Sequence, residues 1–105
     1  MATTKFITIE GRKVPVTLTA YRPLAKKVRE IIEMAIAQKH PKATTIVHTS
    51  NLRGRVHAVV ISEAFNRLGE REKQDLVWDA LREELNDEER LNISAVVTWS
   101  PRELA

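Results

Sequence analysis

The apolar residues change their period four times along the chain, and that alternation constrains the fold more than any single motif. In KFITIEGRKVPVTL, residues 5–18, Ile7, Ile9, Val14 and Val16 fall on strand spacing. Leu24, Val28, Ile31, Ile32, Ala35 and Ile36 then fall on one face of a helix over 21–38. Strand-like runs return at 43–49 and 56–61, followed by a second helical set of Leu76, Val77, Ala80, Leu81 and Leu85. A final alternating run, 92–99, sets Ile93, Ala95, Val97 and Trp99 against Ser94, Val96 and Thr98. Short strands interleaved with two amphipathic helices predict an α+β domain in which helices pack on a small mixed sheet. With 105 residues the chain has room for one core, so residues 1–105 are expected to form a single domain.

Local signals place the boundaries. Residues 5–18 predict a β-hairpin pairing Ile9 with Val14, Ile7 with Val16 and Lys5 with Leu18, with Pro15 confining its strand to an edge. The apolar face of that hairpin needs cover, either from the domain itself or from a second copy in a homodimer. Pro23 suits the first turn of the helix, and His40-Pro41 ends it, because a residue before proline avoids the α region. Residues 50–55 predict a loop between two strands. Ser62 is placed to cap a short helix at 63–68, Gly69 breaks it, and a longer helix follows at 70–85. Asn86 to Arg90 predict a polar loop, and Pro101 ends the last strand. The predicted order after the hairpin is α-β-β-α-α-β.

Composition removes whole classes of function. The chain has no cysteine, which excludes a disulfide, a thiolate nucleophile and a cysteine-bound metal site. No unbroken apolar run exceeds four residues, as at Ala58–Ile61, so no membrane span is expected. Met1–Lys5 lead into an alternating strand pattern and not an apolar leader block, which predicts a cytoplasmic protein. The net charge of +3 hides a segregation. Residues 1–57 carry eleven basic and three acidic residues, a net of +8, and residues 58–105 carry six basic and eleven acidic, a net of −5. Kept apart in space, such halves would attract an anionic partner to one surface; interleaved in one sheet, they would cancel.

The stretch 59–85 carries further information. After the strand come Ser62 and Phe65 as Ser-x-x-Phe, then Leu76, Val77, Trp78, Ala80 and Leu81 as Leu-Val-aromatic-x-Ala-Leu, and then Glu84-Leu85. The closing run contains Thr98, Trp99, Ser100, Pro101 and Glu103, and an upstream TTIVHTS ends at Ser50. In this order and spacing the motifs resemble the BolA-like family, related in fold to the type II KH domain, over about residues 22–104. The hairpin lies outside the resemblance. The resemblance implies a non-catalytic regulatory module that binds a protein partner, a monothiol glutaredoxin in the family, with a link to iron or stress regulation. The family shares a [2Fe–2S] cluster with that partner through a histidine in the last strand and a second His or Cys in the loop between the first two strands. Here the first position is Val97, and residues 50–55 contain neither. Valine offers no donor atom, so no cofactor is expected.

Nucleic-acid binding is the alternative expectation. The family's basic segment on the longer helix is replaced by Lys73-Gln74-Asp75, and residues 62–85 hold four basic and seven acidic residues. A net negative helix pair is repelled by phosphates, and the turn at Leu68-Gly69-Glu70-Arg71 is not a Gly-x-x-Gly clamp. A charge-driven surface would instead use Lys26, Lys27 and Arg29 on the first helix with Arg53, Gly54 and Arg55, glycine allowing close approach of a phosphate. Among other residues, His48 and His57 lie on adjacent strands where they could share a metal, against the plainer reading of two exposed strand histidines. Ser62, Ser94 and Ser100 stand in no nucleophile motif, and Glu83-Glu84 and Glu88-Glu89 read as solvated pairs, so no enzyme is expected. Trp78 and Trp99 read as packing anchors more than as stacking platforms.

Overall fold

In a computed structural model residues 23–104 are described, Leu52 by its backbone only, together with the backbone of residues 4–9 and 12–17. Strands β1 (Thr4–Ile9) and β2 (Arg12–Thr17) pair antiparallel. Ile7 stands opposite Val14 and Ile9 opposite Arg12, two residues out of the register expected from the sequence. The side chains of residues 5–18, and with them the apolar face expected there, lie outside the described residues.

Helix α1 (Leu24–Lys39) starts behind Pro23 and stops at His40, whose N–H still reaches the Ile36 carbonyl before Pro41 forbids another turn. Strands β3 (Thr45–Leu52) and β4 (Arg55–Ser62) form a tight hairpin. Residues 50–52 continue β3, so the expected 50–55 loop shrinks to Arg53-Gly54, both at positive φ (54° and 77°). Two left-handed residues match the twist of the flanking strands, the geometry of a two-residue hairpin turn. Ser62 caps a single 3-10 turn, Glu63–Phe65, by accepting from the Ala64 N–H at 3.1 Å; the expected six-residue helix is this one turn. Glu63 reaches back to the Thr44 N–H at 2.7 Å, which holds its carboxyl below the usual range and ties the end of β4 to the start of β3.

Helix α2 (Glu70–Glu84) follows Gly69. The expected polar loop at 86–90 is instead helix α3 (Asp87–Leu91), closed by reciprocal bonds between Asn86 and Glu89. Strand β5 (Ile93–Trp99) then pairs parallel with β4, and α4 (Pro101–Leu104) completes the described chain. The sheet order is β3-β4-β5, antiparallel then parallel, a mixed three-stranded sheet as the pattern predicted. Helices α1 and α2 cover one face of it. Val28, Ile32 and Ile36 from α1, Val77 and Leu81 from α2, and Val56, Ala58 and Val60 from β4 form the core with Phe65, Leu85 and Ile93. No helix among the described residues is long and apolar enough to cross a membrane.

Candidate interaction surfaces

Among the described residues, neither α1 nor α2 covers the second face of the sheet, and α4 borders only one end of it. Cross-strand register builds it in three rows: Ile46, Ile61 and Trp99; His48, Val59 and Val97; Ser50, His57 and Ala95. Ile46 is 59% exposed, and Val97 and Trp99 are 38% exposed each. Beyond the first row a shallow cleft is lined by Thr44, Ile46, Ile61, Glu63, Pro101 and Leu104, with Leu104 also open to solvent. An irregularity between Val56 and His57 decides which residues of β5 reach this face. Ile93 is buried inside, but the ladder shift turns Ala95, Val97 and Trp99 outward and puts Val96 and Thr98 inside. The richer apolar set of the strand therefore faces out with Ile93 excepted, a split the simple alternation did not anticipate.

Thr98 is tolerated inside because its hydroxyl has partners. The Gln74 side-chain amide donates to the Thr98 Oγ1 at 3.3 Å and to the Val96 carbonyl at 2.9 Å, while the Trp78 indole donates to Gln74 Oε1 at 3.1 Å. Next to Gln74 on α2, Lys73 is almost fully buried and its ammonium bridges Glu103 (2.5 Å) and Glu70 (3.2 Å). The Lys73 hydrogen bond and the Ser100 N–H hold the Glu103 carboxyl at about 2, and Glu103 in turn raises the lysine above its ordinary value. Ser100 and Glu103 bond reciprocally, Ser100 N–H to Oε1 at 2.9 Å and Glu103 N–H to Oγ at 3.3 Å, with Pro101 between them at the first helical position. Sequence reasoning missed this clamp. Its signal was a lysine four residues before Val77 and eight before Leu81, on the buried stripe of α2.

The basic residues expected to bind anions are partly brought together. The Thr49 hydroxyl donates to the Ala25 carbonyl at 2.9 Å, which sets β3, four residues before Arg53, against the first turn of α1 that carries Lys26. Lys27 and Arg29 are committed elsewhere: Lys27 pairs with Glu89 at 2.7 Å and Arg29 with Glu33 at 3.6 Å. The Lys27 contact, with the Asn86 N–H, holds the Glu89 carboxyl low. Through it the acidic helix α3 joins the basic end, so the +8 and −5 halves of the chain interleave there. Glu89, expected in a solvated pair with Glu88, is half of that bridge. Gly54 has open space around its Cα, as a close phosphate contact requires, though its positive φ alone accounts for the glycine.

No group of three or more His, Asp or Glu side chains able to hold a metal lies among the described residues. Another groove runs between α1 and α2 past Ile31, Met34, Ala35, Leu76 and Ala80, edged by Asp79, Glu83 and Lys39. No protein-family model matches the chain, and no curated protein matches it significantly. Among solved structures it is similar to BolA1 from Arabidopsis thaliana, with 17% identity and a TM-score of 0.48, over 79% of this chain and 98% of that one.

Proposed function

We propose that the chain is a non-catalytic interaction module that docks a protein partner on the face of its sheet opposite α1 and α2. The observation that carries this is the continuous apolar surface of Ile46, Val59, Ile61, Val97 and Trp99, extended by Leu104. Apolar patches of this kind on soluble chains mark contact sites, and covering each half-exposed side chain is worth about 1 kcal/mol. The motif resemblance to the BolA-like family points the same way, toward a regulatory role in iron or stress physiology and a partner of the glutaredoxin type. Val97 in place of the family's histidine argues that any such contact is made without a shared cluster.

Affinity capture from the native host at physiological salt tests the reading. The wild-type chain is expected to retain a protein that survives nuclease treatment, and Ile46→Asp combined with Trp99→Asp is expected to lose it. Recovery of nucleic acid without protein, or capture indifferent to the two substitutions, overturns it.

A second reading has one observation in its favour: the Thr49–Ala25 bond holds the strand that leads to Arg53 and Arg55 against the helical turn that carries Lys26, and none of the three has an ion pair among the described residues. It predicts binding to RNA or DNA whose log affinity falls with log salt by about 0.7 to 0.9 per phosphate neutralised. Unchanged binding by an Arg53→Glu, Arg55→Glu variant removes it.

A further inference from the structure

We infer that His48 and His57 form a two-imidazole site for a borderline divalent cation such as zinc on the outer sheet face. The register makes them diagonal neighbours. His48 stands opposite Val59 and His57 opposite Ser50, so each histidine is two residues from the other's partner and both lie on the same face. Diagonal residues of an antiparallel pair are about 7–8 Å apart at the backbone, within reach of long side chains. Two ring nitrogens binding one zinc ion at about 2.0–2.1 Å need to approach to only about 3.3 Å of each other.

Both rings are exposed, and neither has a hydrogen-bond or charge partner among the described residues, so their nitrogens are available as ligands. Among the described residues, the three rows of this face hold no carboxylate to compete with them. Ser50, Val59, Ala95 and Val97 are the adjoining positions of the face, and Arg55, two residues from His57 at the strand end, is its only charged member among the described residues. Imidazole suits zinc, copper and nickel, while the hard oxygen-seeking cations have nothing to hold here. Once one ring is bound, the second coordinates from within the same molecule at high effective concentration, so the pair holds the ion far better than either ring alone. Two protein ligands leave the remaining positions to water or to an incoming group.

This inference stands apart from the partner reading, because it concerns the isolated chain. Zinc chloride titrated into the full-length protein near pH 7.5, followed by imidazole nitrogen NMR, is the test. The His48 and His57 signals are expected to shift together on one binding curve while His40 stays behind. His48→Ala and His57→Ala are each expected to weaken zinc at least about tenfold, and His40→Ala to leave it unchanged. Separate curves for the two rings, or a single-alanine variant that binds zinc as well as the parent, overturn the site.

Discussion

The two faces of the sheet are built from similar residues and have opposite fates. Along β4 the side chains of Val56, Ala58 and Val60 are sealed beneath α1 and α2, while Val59 and Ile61 on the same strand point to the other side of the sheet, away from both of those helices. A central strand apolar on both sides normally belongs to a sheet covered on both sides. Here the second cover is missing from the described part of the molecule. The contrast separates two settings of apolar surface: one face holds the fold together, and the other, partly exposed among the described residues, is the one proposed for contact.

Substitutions on the two faces can break or sharpen that distinction. The largest effect is expected beneath the helices. Leu81→Ala removes a fully buried side chain between α2 and the sheet and should cost about 2–5 kcal/mol in urea unfolding. A cost under about 1 kcal/mol would mean the covered face is not the core. Next comes the rim where α2 meets β5. Gln74→Ala strands the Trp78 indole and the Val96 carbonyl, an expected loss of about 1–3 kcal/mol. Ser100→Ala removes the cap of α4 and should cost about 1 kcal/mol.

The same cap gives a pH signature. The Glu103 carboxyl lies at about 2 in the fold, below its ordinary value of 4.5. Its contribution is therefore complete above about pH 4.5 and lost as pH falls toward 2. Glu103→Gln should flatten that part of the acid unfolding curve; an unchanged curve would show the Lys73 clamp to be idle. The smallest effect is expected outside. Ile46→Ser should change the stability of the free chain by no more than about 0.5 kcal/mol, and a much larger loss would show that the outer face is covered within the chain itself.

Much of this was legible in the amino-acid pattern. The helix expected at 21–38 is Leu24–Lys39, the one at 70–85 is Glu70–Glu84, and each of the three strands of the mixed sheet lies within a few residues of its expected place. The errors have local causes. Ser50-Asn51-Leu52 looked like a loop because a polar strand end beside Arg53-Gly54 lacks the Asn-Gly signature of a two-residue turn. Helix α3 carries its own start signal, Asn86 followed three residues later by Glu89, but its uniform polarity hid it. The outward turn of Val97 and Trp99 could not be read locally, since it depends on a ladder shift against another strand. Of the six anion-site residues, Lys27 and Arg29 have acidic partners, Glu89 and Glu33, that are set by the fold and the helix face rather than by composition.

The parallel partnership of β4 and β5 also bears on how quickly the fold assembles. Thirty residues separate Ser62 from Ile93, and the loop they form must close before the last strand gains a single ladder bond. Helices α1 and α2 and the β3–β4 hairpin depend on local contacts and can form early. Docking of β5 is therefore the expected slow step of folding, and refolding kinetics should be most sensitive to substitutions that stabilise the connecting helices before that strand arrives.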